Sequence, residues 1–279
     1  MFSEQIIHTA DGLGEKLNRF RDLDPRRGSS HIDFYTTFEC MFNCFMCYVD
    51  AAPGKKNTRM NLDIIKNFIM DFFGIDYFLF TGGEFSIVSD TKKLILLAAQ
   101  SAKKVFCQTT AWGFVQPQSF REANPLETVY ADLEKVFSAW PHNVEVDLGI
   151  TEYHLDKDLG GRPEYDLIIQ AASRLAHEWL NDSGKPQIRF IVKKTPGLPE
   201  SGDILINKYQ LQDLAKTGMD NYPGNISANG RGILIPHAQK RNLIPNVKSL
   251  DTEFEAGLAI NYLGVYANEG PLLFDMLPA

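Results

Sequence analysis

Cysteine is scarce in this chain, four in 279 residues, and basic residues are outnumbered, 28 Lys plus Arg against 35 Asp plus Glu. Four cysteines, three of them clustered, do not make a disulfide framework, so free thiols in a reducing cytoplasm are expected. A formal net charge of −7 argues against a dedicated nucleic-acid binder, which carries a basic face. It leaves room for a small anionic substrate in a local basic pocket. No run approaches the ~18 uninterrupted apolar residues of a membrane span. The start, Met1-Phe2-Ser3-Glu4, has neither the charged beginning nor the apolar stretch of a secretory signal. Internal repeats and low-complexity segments are also missing. What remains is an ordinary globular composition, 44% hydrophobic and 23% charged, long enough for one large α/β domain or two smaller ones.

The apolar pattern alternates between strand and helix. Strand-like runs fall at Ile32 to Thr37, Tyr77 to Thr81, Val105 to Thr110, Val144 to Thr151 and Ile188 to Lys193, with a weaker one at Asn225 to Ala228. Helical spacing falls between them: Leu62 to Phe73, with Asn61 as N-cap, then Lys92 to Ala102, Leu126 to Trp140, Tyr165 to Leu180 and Lys208 to Lys216. Such alternation implies right-handed crossovers and a parallel sheet. About six units fit before residue 230, fewer than the eight of a closed barrel. The expected fold is therefore α/β, a partial (β/α)6 barrel with parallel strands plus a short C-terminal β-hairpin-like extension. Residues 1–30 read as a polar leader, 31–232 as the barrel and 233–279 as an extension capping it. In that extension Leu258 to Tyr266 and Leu272 to Phe274 read as short strands around Asn268-Glu269-Gly270. Two long loops, residues 111–125 and 195–206, are of the length that often carries function.

The chemistry concentrates in Cys40-Met41-Phe42-Asn43-Cys44-Phe45-Met46-Cys47, a C-x3-C-x2-C run directly after the first strand. Three thiolates on one short loop can hold three corners of an inorganic cluster, whereas a closed tetrahedral zinc site takes a fourth protein ligand. An open corner is what a metal centre needs in order to act on a small molecule. Gly82-Gly83-Glu84 ends the second strand, and both segments belong to the C-terminal rim of the sheet, where α/β proteins place their sites. Paired glycines permit close backbone approach, and Glu84 offers an acceptor for an ammonium group.

Together these motifs resemble the radical S-adenosylmethionine (radical SAM) superfamily, in a branch without a cysteine-rich auxiliary-cluster domain. The resemblance covers roughly residues 31–232. It implies a 4Fe-4S cluster on Cys40, Cys44 and Cys47, with S-adenosyl-L-methionine (SAM) completing it at the open corner. It also implies that Gly82, Gly83 and Glu84 bind the SAM amino group. Met46, before the third cysteine, stands where the family usually has an aromatic residue and is expected to contact adenine through its backbone. Phe85 replaces a common proline. Thr109-Thr110-Ala111-Trp112-Gly113 resembles a family turn, placing Thr110 at the SAM ribose or carboxylate. Arg189 on the fifth strand is expected to pair with that carboxylate, as a guanidinium does bidentately. Gly149 to His154 resembles a family strand end in which Thr151 replaces an aspartate. Ser227 to Gly232 resembles a family Gly-Arg segment.

The resemblance further implies reductive cleavage of SAM, hydrogen abstraction from a substrate, and a reductase donor such as flavodoxin or ferredoxin. A small-molecule substrate (nucleoside, sugar or other metabolite) is expected; the alternative is epimerisation or cross-linking of a ribosomally made peptide. Another class of reading is a non-catalytic iron-sulfur or zinc protein, with Cys107 or a histidine as fourth ligand. Cys107, Glu152 and His154 are catalytic candidates: Cys107 as hydrogen-atom donor or merely a small buried hydrophobe, the other two for proton transfer or structure. Lys55, Lys56 and Arg59 form a basic patch that would suit an acidic electron donor or simply face solvent. Trp112 and Phe114 are candidates to stack a base or an aromatic side chain.

Overall fold

The computed structural model describes residues 30–44, 47, 51–71, 74–194, 200–215, 224–225, 256–261 and 264–267. Met46, Leu272 to Phe274 and Ser227 to Gly232 lie outside the described residues. Strands β1 (Ser30–Thr37), β2 (Ile75–Gly82), β3 (Ala102–Thr109), β4 (Val144–Ile150) and β5 (Gln187–Lys194) pair in sequence order, all parallel. Helices α1 (Leu62–Asp71), α2 (Thr91–Ser101) and α3 (Pro125–Phe137) make the first three crossovers. The single turn α4 (Glu152–Leu155) and α5 (Tyr165–Trp179) make the fourth, and α6 (Ser201–Lys208) follows β5. The sheet is open and ordered β6-β5-β4-β3-β2-β1-β7-β8, with β6 (Gly224–Asn225), β7 (Ala256–Asn261) and β8 (Gly264–Ala267). No described helix is long and apolar enough to cross a membrane.

Local chemistry sets the boundaries. Asn61 Oδ1 accepts from the Asp63 N–H at 2.8 Å, capping α1 as expected. Pro125 opens α3, where its fixed φ suits the first turn and its missing N–H costs nothing. The two sheet faces differ. Phe34, Phe78, Phe80, Val105, Cys107, Val146 and Leu148 share one face and are fully buried with Ile65, Leu94, Leu133 and Ile169 of the covering helices. The other face carries polar and half-buried side chains. Near the strand starts His31 stacks on Tyr77 at 4.6 Å, Tyr77 meets Phe106 edge-on, and Lys104 lies over Phe106 while bonding Glu145 at 2.7 Å. These groups fill the lower half of the inner face, leaving the rim at the strand ends for function.

Two expectations are corrected. The helix placed at Lys208 to Lys216 lies earlier, at Ser201–Lys208. Gln210 has φ 55°, a left-handed conformation that ends the helix. Leu211 and Leu214 are buried from turns rather than from a helical face. The run Leu258 to Tyr266 is two strands, not one: β7 and β8 pair antiparallel with the reversal between Asn261 and Gly264. That hairpin joins the main sheet, β7 running parallel to β1 with Ser30 opposite Ala256.

Candidate functional site

The cysteine loop leaves β1 and is closed at its base. Cys40 N–H donates to the Ala52 carbonyl and Ala52 N–H to that of Phe38, both at 3.2 Å. Thr58 Oγ1 accepts from Phe38 N–H at 2.9 Å, and Arg59 bonds the Glu39 carboxylate through Nε (2.8 Å) and Nη2 (2.6 Å). Arg59 thus leaves the basic patch to serve the loop.

None of the three cysteines is in a disulfide; Cys40 and Cys44 are buried and Cys47 is partly exposed. Backbone N–H groups turn toward two of them: Phe42 to Cys40 Sγ at 3.4 Å, and Ala51 to Cys47 Sγ at 3.1 Å. Such N–H···S bonds are what thiolates gripping an iron-sulfur cluster receive, so the donor set fits that group. Among the described residues no three His, Cys, Asp or Glu side chains group tightly enough for a single metal ion. A four-iron cube is gripped at separate corners and does not ask its ligands to converge. Burial first, then the Glu84 carboxylate, pushes the Cys40 thiol well above its ordinary range, so metal loading has to displace a proton there.

The Gly-Gly-Glu turn is locked to the stem of this loop. Gly83 N–H donates to the Thr37 carbonyl (2.6 Å) and Glu84 N–H to that of Glu39 (2.8 Å). A Cβ on Gly83 would stand 2.3 Å from the Glu39 carbonyl oxygen, and Gly82 has φ +118°. The glycine pair therefore permits backbone-to-backbone contact within the site. Glu84 is wholly buried. Its Oε1 accepts from Ser86 N–H (3.0 Å), Ser86 Oγ (2.5 Å) and Thr109 Oγ1, and its Oε2 from Thr110 N–H (2.7 Å) and Thr110 Oγ1. Thr110 is thus tied to Glu84. Ser86 Oγ also accepts from Gly113 N–H at 2.7 Å, knitting in the loop after β3.

From the other side, loops after β3 and β4 hold the cysteine loop by Phe42. Its ring, 2% exposed, sits among Trp112, His154 and Tyr165 at 5.4, 5.6 and 5.3 Å, all edge-on. Trp112 is itself stacked on Phe120 at 4.8 Å, and Phe114 packs on Phe137 and Trp140. The two aromatic residues expected to stack a ligand pack on the chain's own rings and remain half-buried. Burial lowers the His154 pKa to about 4, outweighing a hydrogen bond with the Gly149 backbone. The ring is therefore neutral at pH 7, and its Nδ1 is buried without a hydrogen-bond partner among the described residues.

The remaining candidates separate. Cys107 is fully buried, on the same face as its register partner Phe80, so it packs in the helix-side core and does not meet the inner face. Arg189 sits low on β5, opposite Asp147, and donates through Nη1 to the Asp213 carbonyl at 2.9 Å. Five residues separate it from the end of its strand, roughly 17 Å, so the structure does not bring it to the rim. Glu152 begins α4, while Thr151 caps that turn by accepting from His154 N–H at 3.3 Å. Sequence reasoning missed Ser86, Thr109, Gly160, Arg162 and Tyr165. A glycine pair such as Gly160-Gly161 is a general turn signal, but nothing local names the loop it packs against. A cavity of about 550 Å³, lined by Lys103, Trp140 and His142 among others, lies at the opposite end of the strands from the cysteines.

No protein-family model and no curated protein matches the chain. Solved structures do match. Streptococcus suis SuiB bound to S-adenosylmethionine is 18% identical over 65% of this chain and 38% of its own, with a TM-score of 0.40. Native anSMEcpe with bound AdoMet is 12% identical over 69% and 55%, with a TM-score of 0.42. HydG, a maturase of the FeFe hydrogenase, is 14% identical over 77% and 47%, with a TM-score of 0.45. The chain thus spans between 38% and 55% of the length of these proteins.

Proposed function

We propose that this chain is a radical SAM enzyme in which Cys40, Cys44 and Cys47 hold a 4Fe-4S cluster and the Gly82–Glu84 turn receives SAM. The observation that carries the reading is the direct backbone coupling of the two motifs. Thr37 and Glu39, the stem of the cysteine loop, accept the N–H groups of Gly83 and Glu84. A turn that must present a ligand to a cluster is thereby built as one piece with the loop that grips the cluster.

When bound, the cluster and SAM supply reductive cleavage of SAM to methionine and a 5′-deoxyadenosyl radical that takes hydrogen from substrate. The protein's residues supply position and dryness. Phe42 and its aromatic neighbours keep water from one side of the loop. Glu84, anchored by Ser86, Thr109 and Thr110, is the acceptor for the SAM amino group, and admitting an ammonium requires one of those hydroxyl rotors to turn away. The substrate is a small molecule entering at the strand ends. Cys107 is the sole cysteine outside the triplet and is spent in the core, so this chain carries no thiols for a second cluster. An electron donor such as flavodoxin or ferredoxin supplies the reducing electron.

The test is anaerobic reconstitution with iron and sulfide, followed by SAM and dithionite, with 5′-deoxyadenosine as the readout. Product formation, with deuterium moving into it from a labelled substrate, supports the reading. A cluster held by four protein ligands, with no 5′-deoxyadenosine, sinks it.

A further inference from the structure

The loop after β4 is built more tightly than a connection requires. Gly161 N–H donates to the Asp156 carbonyl and Arg162 N–H to that of His154, both at 2.8 Å. A Cβ on Gly161 would stand 2.3 Å from the Tyr153 carbonyl oxygen, so the loop folds back on itself. The Arg162 carbonyl then accepts Tyr165 N–H at 3.0 Å, leading into α5. From this strap the Arg162 side chain crosses Trp112, its guanidinium carbon 5.2 Å from the ring centroid, and its Nε donates to the Met41 carbonyl at 2.8 Å. Next to it Asn43 N–H donates to the Gly160 carbonyl at 2.9 Å.

Among the described residues, Arg59 and Arg174 pair with carboxylates. Arg162 has no carboxylate partner among the described residues, and its half-buried side chain is held to the carbonyl of Met41, the residue after Cys40. A guanidinium keeps its charge at any working pH, whereas neighbouring His154 is held neutral by burial. Glu84 opposes it, its field reaching Cys40, and the strap itself carries Asp156, Asp158 and Glu164.

We propose that Arg162 is a positioning residue for the cluster: it clamps the cysteine loop through Met41, and its positive charge, which no described carboxylate pairs, raises the potential at which the cluster accepts an electron. This rests on the radical SAM reading. One-electron reduction adds a negative charge to the cluster. A fixed cation in partly desolvated surroundings favours the reduced state more than the oxidised one. The charge works alongside the N–H···S bonds and against Glu84.

The experiment compares the full chain with Arg162→Gln and Arg162→Lys, each reconstituted anaerobically. Midpoint potential is read by EPR-monitored redox titration, and loop closure by the rate of iron loss to a chelator. Expected is a more negative potential with faster iron loss for Arg162→Gln. Arg162→Lys should keep a potential near wild type while losing iron faster, because lysine keeps the charge without the Nε contact. If Arg162→Gln fails to fold, Arg162→Met, which preserves the packing over Trp112, takes its place. An unchanged potential in the neutral variant, or an equal shift in the lysine variant, overturns the proposal while leaving the enzyme reading intact. A wild-type chain that takes up no cluster brings down the enzyme reading itself, and this proposal with it.

Discussion

Gly160 lies against Asn43 so closely that a Cβ on the glycine would stand 2.0 Å from the asparagine carbonyl oxygen. Gly160 also has φ +83°, a conformation that L side chains rarely adopt. The residue after Gly160 turns the chain back, and Asn43 sits between Phe42 and Cys44, so this contact joins the strap after β4 to the centre of the cysteine motif. Gly160→Ala is expected to cost about 1–3 kcal/mol in strain and overpacking. It should also lower iron retained per chain after reconstitution. Urea unfolding and iron assay check the two arms separately.

Phe42 anchors the same loop from within. Its ring is buried among three aromatic side chains, and truncation leaves a cavity that those rigid rings cannot collapse into. Phe42→Ala should destabilise by roughly 3–5 kcal/mol, read by denaturant unfolding of the metal-free chain. Leaving stability unchanged would show that the loop is not docked in this way.

Glu84→Gln tests the buried acceptor. Five donors face the carboxylate, and an amide turns one of its two acceptor atoms into a donor. The hydroxyls can rotate, but Ser86 N–H on one oxygen and Thr110 N–H on the other cannot, so either amide arrangement leaves an N–H facing an N–H. The expected loss is roughly 1–3 kcal/mol of stability, with weakened SAM binding in equilibrium dialysis. Wild-type affinity in the variant would remove Glu84 from the SAM site.

His154 makes stability pH-dependent. Its pKa in the fold is about 4, against an ordinary value near 6.5. Between those values the unfolded chain binds the proton and the folded chain does not. Its stabilising contribution is therefore complete above about pH 6.5 and shrinks as pH falls toward 4, by up to ~1.4 kcal/mol per pH unit. Unfolding midpoints measured from pH 7 to pH 4.5 should fall more steeply in the wild type than in His154→Gln.

Cys107→Ala should leave 5′-deoxyadenosine formation and substrate turnover unchanged. The thiol is buried among the helix-side apolar residues, away from the inner face, so its removal costs only packing, on the order of 1 kcal/mol. A loss of turnover with SAM cleavage intact would restore it as a hydrogen-atom donor.

The amino-acid sequence by itself determined the parallel α/β plan, because periodicity and caps act within a few residues. β1 to β5 and the helices α1, α2, α3 and α5 fall where apolar spacing, with Asn61 at the head of α1, puts them. It also determined the cysteine triplet and the Gly-Gly-Glu turn, since short ligand spacings and glycine pairs are local properties. The shift of α6 was harder to see, because Leu211 and Leu214 keep a helical spacing that the left-handed Gln210 interrupts.

Only the tertiary structure decided what these motifs touch. It gave Glu84 its five donors from two segments, packed Trp112 and Phe114 on the chain's own rings, and sent Arg189 to the Asp213 carbonyl. It brought Gly160 and Arg162 onto a loop more than a hundred residues earlier. Contacts of that separation depend on strand order and on which loops share a rim, and no pattern within a single segment carries that information.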